Sequence, residues 1–141
     1  MISAQGKTRI MSKLIMVIDD SITTRKIVEV SLRREGFTVV SFEDGIQALQ
    51  ALTNQELPRI PDLIILDIDL PKINGYDIAR YLRSKPAWKK TTIIILSRHD
   101  KMFDRFKARL AGANVYLTKP FNAQIFLEVV RSNLGIAPES A

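Results

Sequence analysis

Residues 62–68 read DLIILDI, and this stretch decides the fold. Leu63–Leu66 is apolar without interruption until Asp67. A run this short cannot span a bilayer, which takes ~20 apolar residues. Continuous apolarity over four or five positions is the pattern of a strand buried on both faces, as in a parallel sheet covered by helices. The same grammar repeats outward. Lys13–Ile18 is a short apolar run ending in Asp19-Asp20; Phe37–Phe42, Thr92–Leu96 and Val115–Leu117 complete five strands.

Helical spacing fills the intervals. Ser21–Arg34 places Thr24, Ile27, Val28, Ser31 and Leu32 on one face, and Gly36 stops it. Asp44 can cap the next helix, with Gln47 three residues on as in a capping box, and Ile46, Leu49 and Leu52 form its stripe before Pro58. A loop with Pro71 and Gly75 leads to a short helix ending near Lys85-Pro86. Asp100 can cap a fourth helix, closed by Gly112, whose Phe103, Phe106 and Leu110 share one side; Phe103 and Phe106 are expected in the core. Asn122 can cap the last helix, striped by Phe126, Val129, Val130 and Leu134 and ended by Gly135 and Pro138. The fold class is therefore α/β: five parallel strands with helices on both faces. Ligands in such sheets bind outside the carboxyl ends of the strands, where the strand order reverses.

Composition narrows the classes. With 141 residues, 46% hydrophobic and 26% charged, the chain is a single folded domain and not a disordered one. The absence of cysteine excludes disulfides, a thiolate metal site and a cysteine nucleophile, and points to the cytoplasm. Lys and Arg outnumber Asp and Glu by 21 to 15, but they are scattered, as on solvated helix faces. Arg105, Lys107 and Arg109 are the group that can instead form a partner face. Residues 1–12 read as a polar leader without a signal peptide, 13–135 as the domain and 136–141 as a tail.

The polar residues at the strand ends carry the chemistry. Asp19, Asp20, Asp67 and Asp69, Ser97 and Lys119 converge on one rim if the sheet is as read. Crowded carboxylates repel and raise one another's pKa. A hard divalent cation relieves this, and Mg²⁺ suits because it takes one or two carboxylates, keeps waters and accepts phosphate oxygens. A carboxylate beside Mg²⁺, a lysine and a hydroxyl is also what phosphoryl transfer to Asp requires.

The segments VIDDS (17–21), LDIDLPKINGYD (66–77), ILSRH (95–99) and GANVYLTKPF (112–121) resemble the receiver domain of two-component response regulators, the stand-alone CheY-like kind with the (βα)5 flavodoxin-like fold. Residues 103–121 and Trp88-Lys89-Lys90 further resemble receivers of the pilus or gliding branch of chemotaxis. The resemblance implies that Asp67 accepts phosphate from a histidine kinase and that Asp20 ligates Mg²⁺ directly, Asp19 through a water. Asp67 and the backbone carbonyl of Asp69 would complete the metal set. Ser97 and Lys119 would bind phosphoryl oxygens, Tyr116 would turn inward as Ser97 moves, and the Lys119–Pro120 bond would be cis. The output implied is a protein target at the face of the fourth helix, fifth strand and fifth helix. No nucleic acid or membrane partner is implied, and the protein would be a monomer or weak dimer. Arg98 departs from the family, where the residue after Ser97 is usually small; Arg98 and His99 flank the site and bear on the lifetime of its phosphate. The rival readings are an Asp-nucleophile phosphohydrolase, for which the chain lacks substrate or cap segments, and a basic DNA-binding regulator, for which it lacks a helix-turn-helix. A Gly-rich nucleotide loop is also missing.

Overall fold

In a computed structural model that describes residues 13–136, the chain alternates strand and helix throughout. The strands are β1 (Leu14–Ile18), β2 (Thr38–Phe42), β3 (Leu63–Asp67), β4 (Thr92–Ser97) and β5 (Val115–Thr118). The helices are α1 (Ile22–Arg34), α2 (Gly45–Thr53), α3 (Gly75–Ser84), α4 (Met102–Leu110) and α5 (Ala123–Asn133), with a 3-10 turn at Pro86–Trp88. All strand pairs are parallel, in the order β2-β1-β3-β4-β5. The leader at 1–12 and most of the tail, with Pro138, lie outside the described residues.

The period of two sorts each central strand between two cores. Ile15, Val17, Leu63, Ile65, Ile94 and Leu96 face Val28 and Leu32 of α1 and Phe126 and Val130 of α5. Met16, Ile18, Ile64, Leu66, Ile93 and Ile95 face α2, α3 and α4. Both faces are covered, so every residue of β1 and β3 is buried. The caps follow from side-chain oxygens: Ser21, Asp44, Asn74 and Asn122 accept from the first-turn amides of α1, α2, α3 and α5.

Several expectations are corrected. Asp100 does not cap α4; Lys101 occupies that position without a side-chain bond. The Asp100 carboxylate instead accepts from Arg105 and Thr118. Phe103 and Phe106 are exposed, 67% and 55%, together with Met102 and Leu110. The helix meets the sheet through Ala108, because its apolar stripe is turned outward. Ile27 and Ile46 likewise face solvent, and small residues, Ala48 and Ala51, make the close contact of α2.

One glycine positions the site. A Cβ on Gly75 would stand 2.6 Å from the Asp67 carbonyl oxygen and 2.8 Å from the Ile68 Cα. Only glycine lets the start of α3 lie against the end of β3. Arg83, near the end of α3, donates to the carbonyls of Gly112, Trp88 and Lys89 and to the Asn114 side chain. It ties the 3-10 turn and the α4–β5 turn to α3.

Candidate functional site

The carboxyl ends of β1, β3, β4 and β5 meet at the point where strand order reverses between β1 and β3. Asp19, Asp20 and Asp67 offer carboxylate oxygens that lie within 4.8 Å of one another. Asp19 is fully buried: its carboxylate accepts from the Ser21 amide at 2.8 Å and pairs with Lys119 Nζ at 2.9 Å. Its own carbonyl accepts from Arg25 Nη1 at 2.7 Å. Arg25 is a supporting residue that sequence reading missed, since a backbone acceptor leaves no trace in residue types. Asp20 is exposed and lines the cavity above Asp67.

Asp67 is buried at the end of β3. Its Oδ1 accepts from the Asp69 amide at 3.1 Å, and its Oδ2 lies 3.4 Å from Lys119 Nζ. Burial, and after it the neighbouring Asp19 carboxylate, pushes the Asp67 carboxyl up to about 6; the Asp69 amide and Lys119 pull the other way. One ammonium thus holds two carboxylates. All the side-chain donors of the cluster are oxygens, the set that a hard divalent cation takes.

Ser97 is fully buried at the end of β4, and its hydroxyl accepts from the His99 amide at 3.0 Å. The Lys119 amide donates to the Ser97 carbonyl at 2.6 Å, joining the two strand ends, and the Lys119–Pro120 bond is cis. Tyr116 is half-buried; its hydroxyl donates to the His99 carbonyl, and Arg105 lies 5.1 Å above its ring. The two flanking residues part company. His99 pairs with Asp69 at 3.4 Å on the side toward Tyr76 and Lys107. Arg98 lines the cavity of about 140 Å³ that also holds Asp20, Ser21, Asp67, Asp69 and Lys119. A larger cavity, about 370 Å³ between Ala51, Leu57, Ile60 and Trp88, contains no residue of this cluster.

This geometry agrees with the comparisons with known proteins. The response regulator receiver domain matches residues 15–131. The chain belongs to that family. This receiver is 35% identical to protein PilG of Pseudomonas aeruginosa over 120 residues, covering 85% of this chain and 86% of PilG. It superposes on the chemotaxis response regulator CheY4 of Vibrio cholerae with a TM-score of 0.75 at 26% identity, covering 86% and 98% of the two chains. On the BeF3-activated receiver domain of DrrB from Thermotoga maritima the TM-score is 0.77 at 32% identity, with 87% and 97% covered. The receiver is a CheY-like phosphoacceptor in signal transduction, and the phosphohydrolase and DNA-binding readings are not favoured. Among the described residues no helix is long and apolar enough to cross a membrane.

Proposed function

We propose that Asp67 accepts a phosphoryl group from a histidine kinase in a Mg²⁺-dependent step and that the result is a changed protein-binding surface. One observation carries this: a buried carboxylate with raised proton affinity, set between a lysine and two further carboxylates, opens on a small cavity. Asp67 supplies the attacking oxygen. Asp20, Asp67 and the Asp69 carbonyl would hold the ion, with Asp19 reaching it through a water; when bound, it offsets charge on the transferred oxygens. Lys119 pairs with one phosphoryl oxygen, and the Ser97 hydroxyl leaves the His99 amide for another. Tyr116 then loses the loop conformation that supports its bond to the His99 carbonyl, so its ring follows Ser97 inward.

The target is a protein that docks on α4, β5 and α5, neither nucleic acid nor membrane. Support comes from the outward stripe of Met102, Phe103, Phe106 and Leu110, set among Arg105, Lys107 and Arg109. Apolar patches of this kind mark interaction sites, and the flanking cations favour an acidic partner. A motility role in the cytoplasm, as a monomer or weak dimer, fits the likeness to PilG and CheY4. The test is incubation with Mg²⁺ and acetyl phosphate, followed by intact mass and peptide mapping. One phosphate on Asp67, lost with chelator or in Asp67→Asn, is the expected outcome. Equal labelling of Asp67→Asn overturns the assignment.

A further inference from the structure

We propose that the cavity at the amino ends of β3 and β4 is a second docking site, where an acidic peptide segment of a partner protein inserts one apolar side chain and lays its carboxylates on a basic rim. The cavity, about 370 Å³, opens between the end of α2, the loop before β3 and the 3-10 turn before β4. Leu52, Leu57, Ile60 and Trp88 give it an apolar wall, with Gln55 and Arg59 as polar members. It lies at the opposite end of the sheet from Asp67; the length of β3, five residues, puts roughly 16 Å between them.

The walls are fixed in place. Thr91 Oγ1 donates to the Pro61 carbonyl at 2.9 Å and the Thr92 amide to the Asp62 carbonyl at 3.1 Å, so the loop and the turn run side by side. Arg83 holds the carbonyls of Trp88 and Lys89. The Asp62 carboxylate accepts from the Leu14 amide at 2.7 Å and pairs with Arg59 at 2.8 Å. A groove built this way needs little ordering when a ligand enters, which leaves more of the contact energy for binding. Ile60, at its lip, is 52% exposed and stands ready to cover an apolar side chain.

The rim decides the chemistry of the partner. Lys89 and Lys90 directly follow Trp88, both are exposed, and neither ammonium has a hydrogen bond or ion pair among the described residues. Lys85 lies over the Tyr81 ring beside Trp88, and Lys13 directly precedes Leu14, the residue bonded to Asp62. Against these cations and Arg59, the same segments carry Asp62, already matched by Arg59, and Glu56 on the loop. Such an excess of positive charge is complementary to carboxylates. A lipid surface would meet the lysines but leave the slot empty; a peptide with one apolar residue among acidic ones uses both. Trp88-Lys89-Lys90, which the phosphoacceptor site leaves without a role, thereby acquires one.

The probe is a pool of octapeptides with one Leu or Phe among Asp and Glu, fluorescein-labelled for anisotropy with the full chain. The unlabelled pool is titrated while the emission of Trp88, the single tryptophan, reports occupation of the groove. Both signals should saturate and weaken as salt is raised. The double variant Lys89→Ala, Lys90→Ala should bind roughly two- to tenfold more weakly, since exposed ion pairs are at stake. Ile60→Glu, which sets a like charge in the slot, should cost roughly tenfold or more. Phe106→Ser, on α4, should leave binding unchanged. All these side chains are exposed, so the variants should fold. Absence of saturation, or equal binding by a pool with Asn and Gln in place of the acids, overturns the proposal. So does sedimentation of the chain with phosphatidylglycerol vesicles when the pool does not bind, which assigns the rim to lipid, or Trp88 emission that follows the chain's own concentration, which assigns the groove to a second copy.

Discussion

Asp67→Asn should make this protein more stable at neutral pH. Burial, and then Asp19, raises the Asp67 carboxyl from its ordinary 3.8 to about 6. Between those values the folded chain keeps a proton that the unfolded chain has released, so stability falls as pH rises through the window. Above it the deficit is complete and corresponds to about 3 kcal/mol for two pKa units. Asparagine preserves the shape and can still accept from the Asp69 amide, but it gives up the 3.4 Å contact with Lys119. That ammonium keeps Asp19 at 2.9 Å, so little is stranded. The net gain should be about 1–3 kcal/mol near neutrality, or roughly 3–10 °C in Tm for a domain of this size. Urea unfolding in chelator, at about pH 7.5 and about pH 4.5, measures it. The gap between wild type and variant should narrow at the lower pH, where wild-type Asp67 is largely protonated. A variant no more stable at the higher pH, or a gap that ignores pH, would refute the electrostatic reasoning.

Arg83→Met strands the carbonyls of Trp88 and Lys89 at the 3-10 turn and of Gly112 in the α4–β5 turn, and should cost about 2–4 kcal/mol, read as a lower urea midpoint. Gly75→Ala drives a methyl group onto the Asp67 carbonyl; a loss of about 1–3 kcal/mol is expected, with slower labelling of Asp67 by acetyl phosphate. Tyr116→Phe removes the hydroxyl bond to the His99 carbonyl at a cost of about 1 kcal/mol, and beryllofluoride should then shift the indirect reporters of α4 less than in wild type. Phe106→Ser should change stability by no more than about 0.5 kcal/mol, since the ring is largely exposed; a loss several times larger would place Phe106 in the packing after all.

The strands and their terminal carboxylates were legible because they combine two extremes. Leu63–Leu66 and Ile93–Leu96 are apolar at every position, and Asp67 and Ser97 end those runs abruptly. A charge at the end of a doubly buried strand has few structural reasons to be there, and parallel connection puts all such ends on one rim. Helix orientation was less legible. The spacing of Phe103, Phe106 and Leu110 shows that they share a face, but not which way the face turns. Ala108, Ala48 and Ala51 win the inward positions because a helix close to a sheet needs small side chains, and alanine carries little hydropathy signal. Arg83 and Arg25 were invisible for another reason. Their partners are backbone carbonyls, which every residue has, so no complementary residue type marks them. Arg98 was visible as a departure from the family, but that it makes no hydrogen bond or ion pair among the described residues could be read only from the three-dimensional arrangement.

The shallow seating of α4 has a consequence for how the domain breathes. Only Ala108 of this helix is buried, and its two ends are held by neighbours: Tyr76 donates to the Asp104 carbonyl, and Arg83 holds the Gly112 carbonyl just past the last turn. Detaching the helix exposes little new apolar surface, so the free energy of a local opening there lies far below that of global unfolding. In hydrogen–deuterium exchange the amides of α4 should therefore trade their protons long before those of β1 and β3. The segment that opens most readily is then the one that displays the apolar stripe, and a partner that grips it would slow that exchange without touching the sheet.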